Sequence, residues 1–109
     1  MKILIISQYF WPENFRVNEL SEELNKLGHQ ITILTGFPNY PKGQVYKEFK
    51  LNKSKFKTYK GVEIIRVPIL PRKQNKFNLI LNYISFLVNS ILFGFFKLRG
   101  KNFDIILTY

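Results

Sequence analysis

The order of apolar and polar residues near the start of the chain predicts a strand, a helix and a second strand. Residues 3–6 are a continuous apolar run rich in β-branched side chains, which is typical of a strand buried on both faces of a parallel sheet. Apolar residues then recur at helical spacing, at Val17, Leu20, Leu24 and Leu27. Gly28 is expected to end that helix, and residues 31–35 form the next strand. This β-α-β unit predicts an α/β fold with a right-handed crossover.

The rest of the chain continues the alternation of strands and helices. Residues 36–43, "GFPNYPKG", contain two glycines and two prolines and predict an irregular loop. Residues 62–67 predict a third strand, the uncharged segment 77–96 a long helix, and residues 103–108 a fourth buried strand. The expected fold is a partial Rossmann-like parallel sheet in the strand order 3-2-1-4, with helices on both faces.

Segment 77–96 supports three interpretations. Its length is just enough for a transmembrane span, but basic residues flank both ends and favour neither orientation. It is also suited to a crossover helix on the sheet or to an interfacial helix. Four polar residues fall on one helical face, opposite a broad apolar arc: Asn78, Asn82, Ser85 and Asn89. We expect one side to pack on the sheet and the other to meet lipid. The membrane-surface candidates are Lys73, Lys76, Phe93, Phe95, Phe96, Lys97, Arg99 and Lys101.

The amino-acid composition limits the kinds of catalytic and metal sites that this chain can form. The chain has 109 residues, a formal net charge of +10, no cysteine and one histidine. Disulfides, thiol catalysis, cysteine-ligated zinc and multi-histidine metal sites are thereby excluded within it, and no metal site is expected. The charge predicts an anionic partner. Only four apolar residues follow Lys2, which is too short for a secretory signal, so the N-terminus is expected in the cytoplasm. With the basic flanks of segment 77–96, the expected location is peripheral on the inner face of the cell membrane.

Lysines alternate with aromatic residues between residues 42 and 60. A solvated loop, a membrane-facing patch and a nucleic-acid surface are all consistent with that composition. No recognised nucleic-acid motif accompanies it. We therefore favour the membrane patch and do not expect nucleic acid as a partner, although a basic nucleic-acid-binding module stays as a third interpretation of the chain.

The opening segment resembles a known enzyme family. "KILIISQYFWPENFRVNELSEELNKLGHQITILTGFPNYPKG" is similar to the start of family 4 glycosyltransferases of the GT-B fold, especially bacterial members that build surface polysaccharides such as O-antigen or capsule. The resemblance implies that residues 1–109 are an incomplete N-terminal, acceptor-side domain, and that the donor-binding C-terminal domain is absent from them. The complete enzyme would transfer a sugar from a nucleotide-sugar to a lipid-linked acceptor. This chain would hold no cofactor and no catalytic residue, and would be inactive alone.

The resemblance also implies where an acceptor binds. The loop after the first strand lies at the ligand edge of an α/β sheet, but it carries bulky residues where a phosphate-binding loop would carry glycines. The implied acceptor-binding residues are Trp11, Glu13, Asn14, Phe15, Arg16, Asn39 and Tyr40. Purely structural roles stay open for them, such as a hydrophobic staple for Phe15 or a favourable charge at a helix start for Glu13. A non-catalytic or split membrane-associated subunit that pairs with a separate donor-binding chain is the alternative function.

Overall fold

The computed structural model describes residues 1–39, 46–69 and 76–109. The strands are β1 (Lys2–Ile6), β2 (Gln30–Gly36), β3 (Thr58–Tyr59), β4 (Val62–Val67) and β5 (Ile105–Thr108). The helices are α1 (Arg16–Lys26), α2 (Lys47–Leu51) and α3 (Lys76–Lys97), with a short 3₁₀ helix at Lys53–Phe56. The predicted α/β class is confirmed, and Gly28 follows α1 with a φ of 95° as expected of a residue that ends a helix.

The sheet is mixed and has five strands in the order β3-β4-β2-β1-β5. β1, β2, β4 and β5 are parallel, whereas β3 pairs antiparallel with β4. The prediction of a four-stranded, wholly parallel sheet is therefore wrong. A two-residue turn at Lys60 and Gly61, both with positive φ, folds the chain back, because such turns match the twist of a hairpin.

Two hydrophobic cores lie on opposite faces of the sheet. Strand side chains alternate between faces, so Ile3 and Ile5 point to one side and Leu4 to the other. The first core joins Ile3 and Ile5 to Val17 of α1, and the second joins Leu4 to Phe86 of α3. The sheet is thus covered by α1 on one face and by α3 on the other.

The buried face of α1 differs from the predicted one. Leu20 and Leu27 are exposed, while Asn18 and Ser21 are buried beside Val17. Asn18 is drawn inward because its Nδ2 donates to the carbonyl of Glu13 at 2.8 Å, and Ser21 Oγ donates to the carbonyl of Asn18 at 2.8 Å. Hydrogen bonds to the preceding loop thus rotate the helix away from its most apolar face.

Helix α3 packs on the sheet with its polar face inward. Asn82 is 1% exposed, and its Oδ1 accepts hydrogen bonds from the Tyr9 hydroxyl at 2.7 Å and from Gln8 Nε2. Two turns further along the helix, Asn89 Nδ2 donates to the carbonyl of Pro68. Gly94 lies against Leu34, where an added Cβ would come within 3.2 Å of a leucine methyl. Asn82 and Asn89 therefore bind the loops that follow β1 and β4.

The apolar arc of α3 faces outward as a consequence. Its exposed members are Phe77, Ile80, Tyr83, Ile84, Leu87, Val88, Ile91, Leu92, Phe93 and Phe96. Soluble monomers rarely expose a contiguous apolar surface of this kind. Among the described residues, no helix has both the length and the hydropathy needed to cross a bilayer.

Strand β5 is exposed along its whole length, which corrects the expectation of a fourth buried strand. It pairs with β1 on one side, and Ile105, Ile106 and Leu107 all remain exposed. An apolar run predicts a strand well, but it does not tell whether that strand lies inside the sheet or at its edge.

The orientation of α3 can be tested with two adjacent residues. Phe86 is 8% exposed and Leu87 is 48% exposed. We expect Phe86→Ala to lower the free energy of unfolding by about 3–5 kcal/mol, since it empties part of the second core. Leu87→Ala should change it by no more than about 0.5 kcal/mol. Urea denaturation of the two variants measures both values, and a larger effect at Leu87 would show that the helix packs the other way round.

Candidate functional site

Two loops meet at the carboxyl edge of the sheet. Residues 7–15 follow β1, and residues 37–39 follow β2, the neighbouring parallel strand. The first loop begins with Ser7, whose backbone N–H donates to the carbonyl of Leu34 at 3.0 Å. It contains a cis peptide bond between Trp11 and Pro12. Because ligands of open α/β sheets bind at this edge, the two loops define the candidate acceptor site.

Glu13 and Asn39 connect the two loops from inside the protein. They are 1% and 0% exposed, and Oε2 of Glu13 accepts a hydrogen bond from the backbone N–H of Asn39 at 2.9 Å. Burial and then the charge of Glu13 raise the pKa of Tyr46, whose N–H donates to the carbonyl of Pro38 at 2.9 Å. The structure thus brings Glu13 and Asn39, both predicted as site residues, into contact, and this hydrogen bond holds the start of the second loop in place.

Arg66 is the buried cation of this edge. Its guanidinium donates to three backbone carbonyls, those of Phe56 and Gly36 at 3.3 Å each and that of Trp11. Burial lowers the pKa of Arg66 to about 10, while the negative charge of Glu13 acts in the opposite direction. At neutral pH the guanidinium is therefore charged, and it joins the first loop, the end of β2 and the 3₁₀ helix.

Arg66 is the site residue that sequence reasoning missed. In a strand, Val62, Ile64 and Arg66 lie on one face, and the first two belong to the first core. The sequence held one indication of this role: an arginine stands two residues after Ile64, on the strand face whose other side chains are in the core. Such a residue must find internal hydrogen-bond partners, because an unpaired buried charge is strongly unfavourable.

The other acceptor-loop residues divide into packed and exposed ones. Trp11 packs between the rings of Phe56 and Tyr59, at centroid distances of 5.2 and 5.3 Å. Phe15 stacks on Tyr9 with centroids 5.1 Å apart and precedes α1 as its N-cap residue. Asn14 and Arg16 are exposed at the mouth of the loop. Trp11 and Phe15 are half-buried, so each combines a packing role with accessible ring surface.

The candidate membrane residues lie along α3 and beyond its end. Lys76, Phe93, Phe96 and Arg99 are exposed. Lys97 Nζ donates to the carbonyl of Arg66 at 2.6 Å, and Lys101 pairs with Glu63 at 3.1 Å. Tyr40, Lys73 and the side chain of Phe95 lie outside the described residues. Basic groups thus stand at both ends of the exposed apolar arc.

Within residues 1–39, 46–69 and 76–109, no three His, Cys, Asp or Glu side chains come together as a metal site would require. Comparison with protein-family models, curated proteins and solved structures gives no match to this chain.

Removing the charge of Arg66 should destabilise the fold. Arg66→Met would leave three carbonyls without their donor and Glu13 without its opposite charge, at an expected cost of about 3–5 kcal/mol in the free energy of unfolding. Arg99→Met removes the same charge from an exposed position and should cost no more than about 0.5 kcal/mol. Denaturant unfolding followed by circular dichroism compares the two, and similar small effects would contradict the role assigned to Arg66.

Proposed function

We propose that this chain is the N-terminal, acceptor-binding part of a family 4, GT-B-type glycosyltransferase that works at a membrane surface. The complete enzyme would move a sugar from a nucleotide-sugar donor to a lipid-linked acceptor in surface-polysaccharide synthesis. The observation that carries the proposal is the outward-facing apolar arc of α3, with basic groups at both ends, on the domain that bears the acceptor loops.

The arrangement of α3 supports work at a membrane surface. An amphipathic helix that presents apolar side chains outward lowers its free energy by inserting them among acyl chains. Lys76 precedes the arc and Arg99 follows it, so both ends carry cations that attract anionic headgroups. The inner, cytoplasmic-side leaflet supplies such headgroups. A domain docked through α3 would meet an acceptor whose lipid is embedded in the same membrane.

The carboxyl edge supports acceptor binding. Glu13 and Arg66 fix the loops internally, which leaves Asn14 and Arg16 free to face a ligand at the surface. A guanidinium suits the diphosphate of a lipid-linked sugar because it donates several hydrogen bonds to phosphate oxygens. The accessible ring surface of Trp11 and Phe15 suits a sugar face.

A second candidate is a non-catalytic subunit that pairs with a separate donor-binding chain. The exposed edge strand β5 favours it. Within the described residues, β5 pairs with β1 alone, and the free side of Ile106 and its neighbours presents backbone groups and apolar side chains of the kind that another strand covers. Acceptor binding by this chain is common to both candidates, and turnover after addition of a donor-binding chain would separate them.

Acceptor binding can be followed through Trp11, the single tryptophan of the chain. A water-soluble, short-chain prenyl-diphosphate sugar should change its fluorescence on titration. Arg16→Ala should weaken that binding by roughly ten- to a hundredfold, since a charge-assisted hydrogen bond contributes about 1.5–3 kcal/mol. Arg99→Ala carries the same charge change elsewhere and should bind as the wild type does. Equal affinities for all three proteins would contradict the acceptor role of Arg16.

Membrane binding can be tested by sedimentation with vesicles of phosphatidylcholine and phosphatidylglycerol. Ile91→Asp places a carboxylate on the apolar arc and should weaken binding by roughly tenfold or more. Leu51→Asp makes the same change at an exposed leucine of α2 and should have little effect. Binding should also fall with added salt as the basic flanks are screened. Indifference to Ile91→Asp would exclude α3 as the membrane contact.

A further inference from the structure

A cavity of about 540 Å³ opens beside β4, beyond the point where β3 ends. Among the described residues, β3 pairs with Val62 and Glu63, and groups from other segments bond to β4 beyond that point. The backbone N–H of Ile64 donates to the carbonyl of Lys57 at 2.8 Å, and Lys97 Nζ reaches the carbonyl of Arg66. Two lysine-bearing segments that are distant in the sequence, residues 53–57 and 97–101, therefore line one cavity.

The cavity concentrates positive charge. Lys53, Lys57 and Lys97 line it, and none of the ion pairs within the described residues involves any of the three. Glu63, the acidic residue of the described lining, is already paired with Lys101. Burial, followed by the charges of Lys53 and Lys57, lowers the pKa of Lys97. Lys53 and Lys57 thus lie near enough to disfavour the charged form of Lys97, and the one carboxylate of the described lining, that of Glu63, is already paired with Lys101.

Aromatic faces hold part of this charge in position. Lys53 Nζ lies 5.1 Å from the ring centre of Phe37 and 5.9 Å from that of Phe49. The guanidinium of Arg66 lies 5.4 Å from Phe49 on the same wall. Cation–π contacts orient a lysine but do not neutralise it. The ring contacts therefore orient Lys53 at the cavity while leaving its charge available to an anion.

We propose that this cavity binds the phosphate or diphosphate group of a phosphorylated ligand through the ammonium groups of Lys53, Lys57 and Lys97. Lysine binds phosphate as a point charge, and a cluster of three matches a multiply charged anion better than a single carboxylate. The volume lies in the range of small-molecule sites, about 300–1,000 Å³, and leaves room for the remainder of such a molecule. Its described lining contains none of the six acceptor-loop residues that the structure describes, and the proposal does not depend on the proposed transferase function.

Inorganic pyrophosphate is the probe for a calorimetric titration of the full chain. The Lys53→Gln/Lys57→Gln variant should bind it about tenfold more weakly than the wild type. Lys47→Gln/Lys50→Gln removes the same charge from the exposed surface of α2 and should stay within about twofold of the wild type, because distant surface charges are screened. Equal weakening in both variants, or no binding by the wild type, overturns the site. If the first variant does not fold, Lys57→Gln alone replaces it, since no ring contact involves Lys57 within the described residues.

The phosphate of the ligand can belong to a soluble metabolite or to a lipid headgroup, and a second measurement distinguishes them. Phosphatidylcholine vesicles containing phosphatidic acid, which ends in a phosphate monoester, are compared with vesicles containing phosphatidylglycerol, in the Ile91→Asp background. If the protein prefers vesicles with phosphatidic acid and pyrophosphate displaces it from them, the ligand is a lipid headgroup. If the protein binds pyrophosphate but shows no preference between the vesicles, the ligand is a soluble phosphorylated molecule. Both outcomes support the site when they depend on Lys53 and Lys57, whereas loss of that dependence in both measurements overturns it.

Discussion

The buried guanidinium of Arg66 is the interaction on which the carboxyl edge of this fold depends. It satisfies carbonyls from the β1 loop, the end of β2 and the 3₁₀ helix, three segments that are distant in the sequence. Glu13 supplies a nearby opposite charge and binds the N–H of Asn39. Burial of the Arg66 guanidinium and the Glu13 carboxylate is tolerated because each has hydrogen-bond partners and an opposite charge nearby. The network therefore favours a single arrangement of the loops. The candidate acceptor edge is therefore held by polar contacts beneath it.

The same reliance on polar contacts explains the unusual orientation of α3. Asn82 and Asn89 hydrogen-bond to the β1 loop and to Pro68, and they bring the less apolar face of the helix onto the sheet. Phe86 supplies the main apolar anchor on that face. The hydrophobic effect alone would favour the opposite rotation in water, since it scales with the apolar area that is buried. An outward apolar arc is favourable when lipid or another apolar surface covers it, which links the packing of this helix to the proposed work at a membrane.

The positive charge of the chain is organised rather than spread evenly. Part of it flanks the apolar arc of α3, where it suits an anionic surface. Another part converges on the cavity beside β4, where Lys97 approaches Lys53 and Lys57 and where Glu63 is already occupied by Lys101. Elsewhere lysines form exposed ion pairs, as Lys60 does with Glu22, and such pairs contribute little to stability. A net charge predicts an anionic partner, but only the clustering of the cations indicates where such a partner would bind.

The sequence by itself determined the elements whose signal is local. Apolar runs predicted the four parallel strands to within two residues, and helical spacing with Gly28 predicted the extent of α1. The tertiary structure decided which faces are buried and which strands lie at an edge. Leu20 turns outward because Asn18 bonds to the loop before it. Strand β5 is exposed because β1 is its one partner strand among the described residues. Asn82 turns inward because Tyr9, far earlier in the chain, donates a hydrogen bond to it. The periodicity of a sequence reports how side chains are spaced along one helix or strand. The partner of a buried polar group lies on another element. The hydrogen bonds of Arg66 and the cavity beside β4 therefore form only when the chain folds.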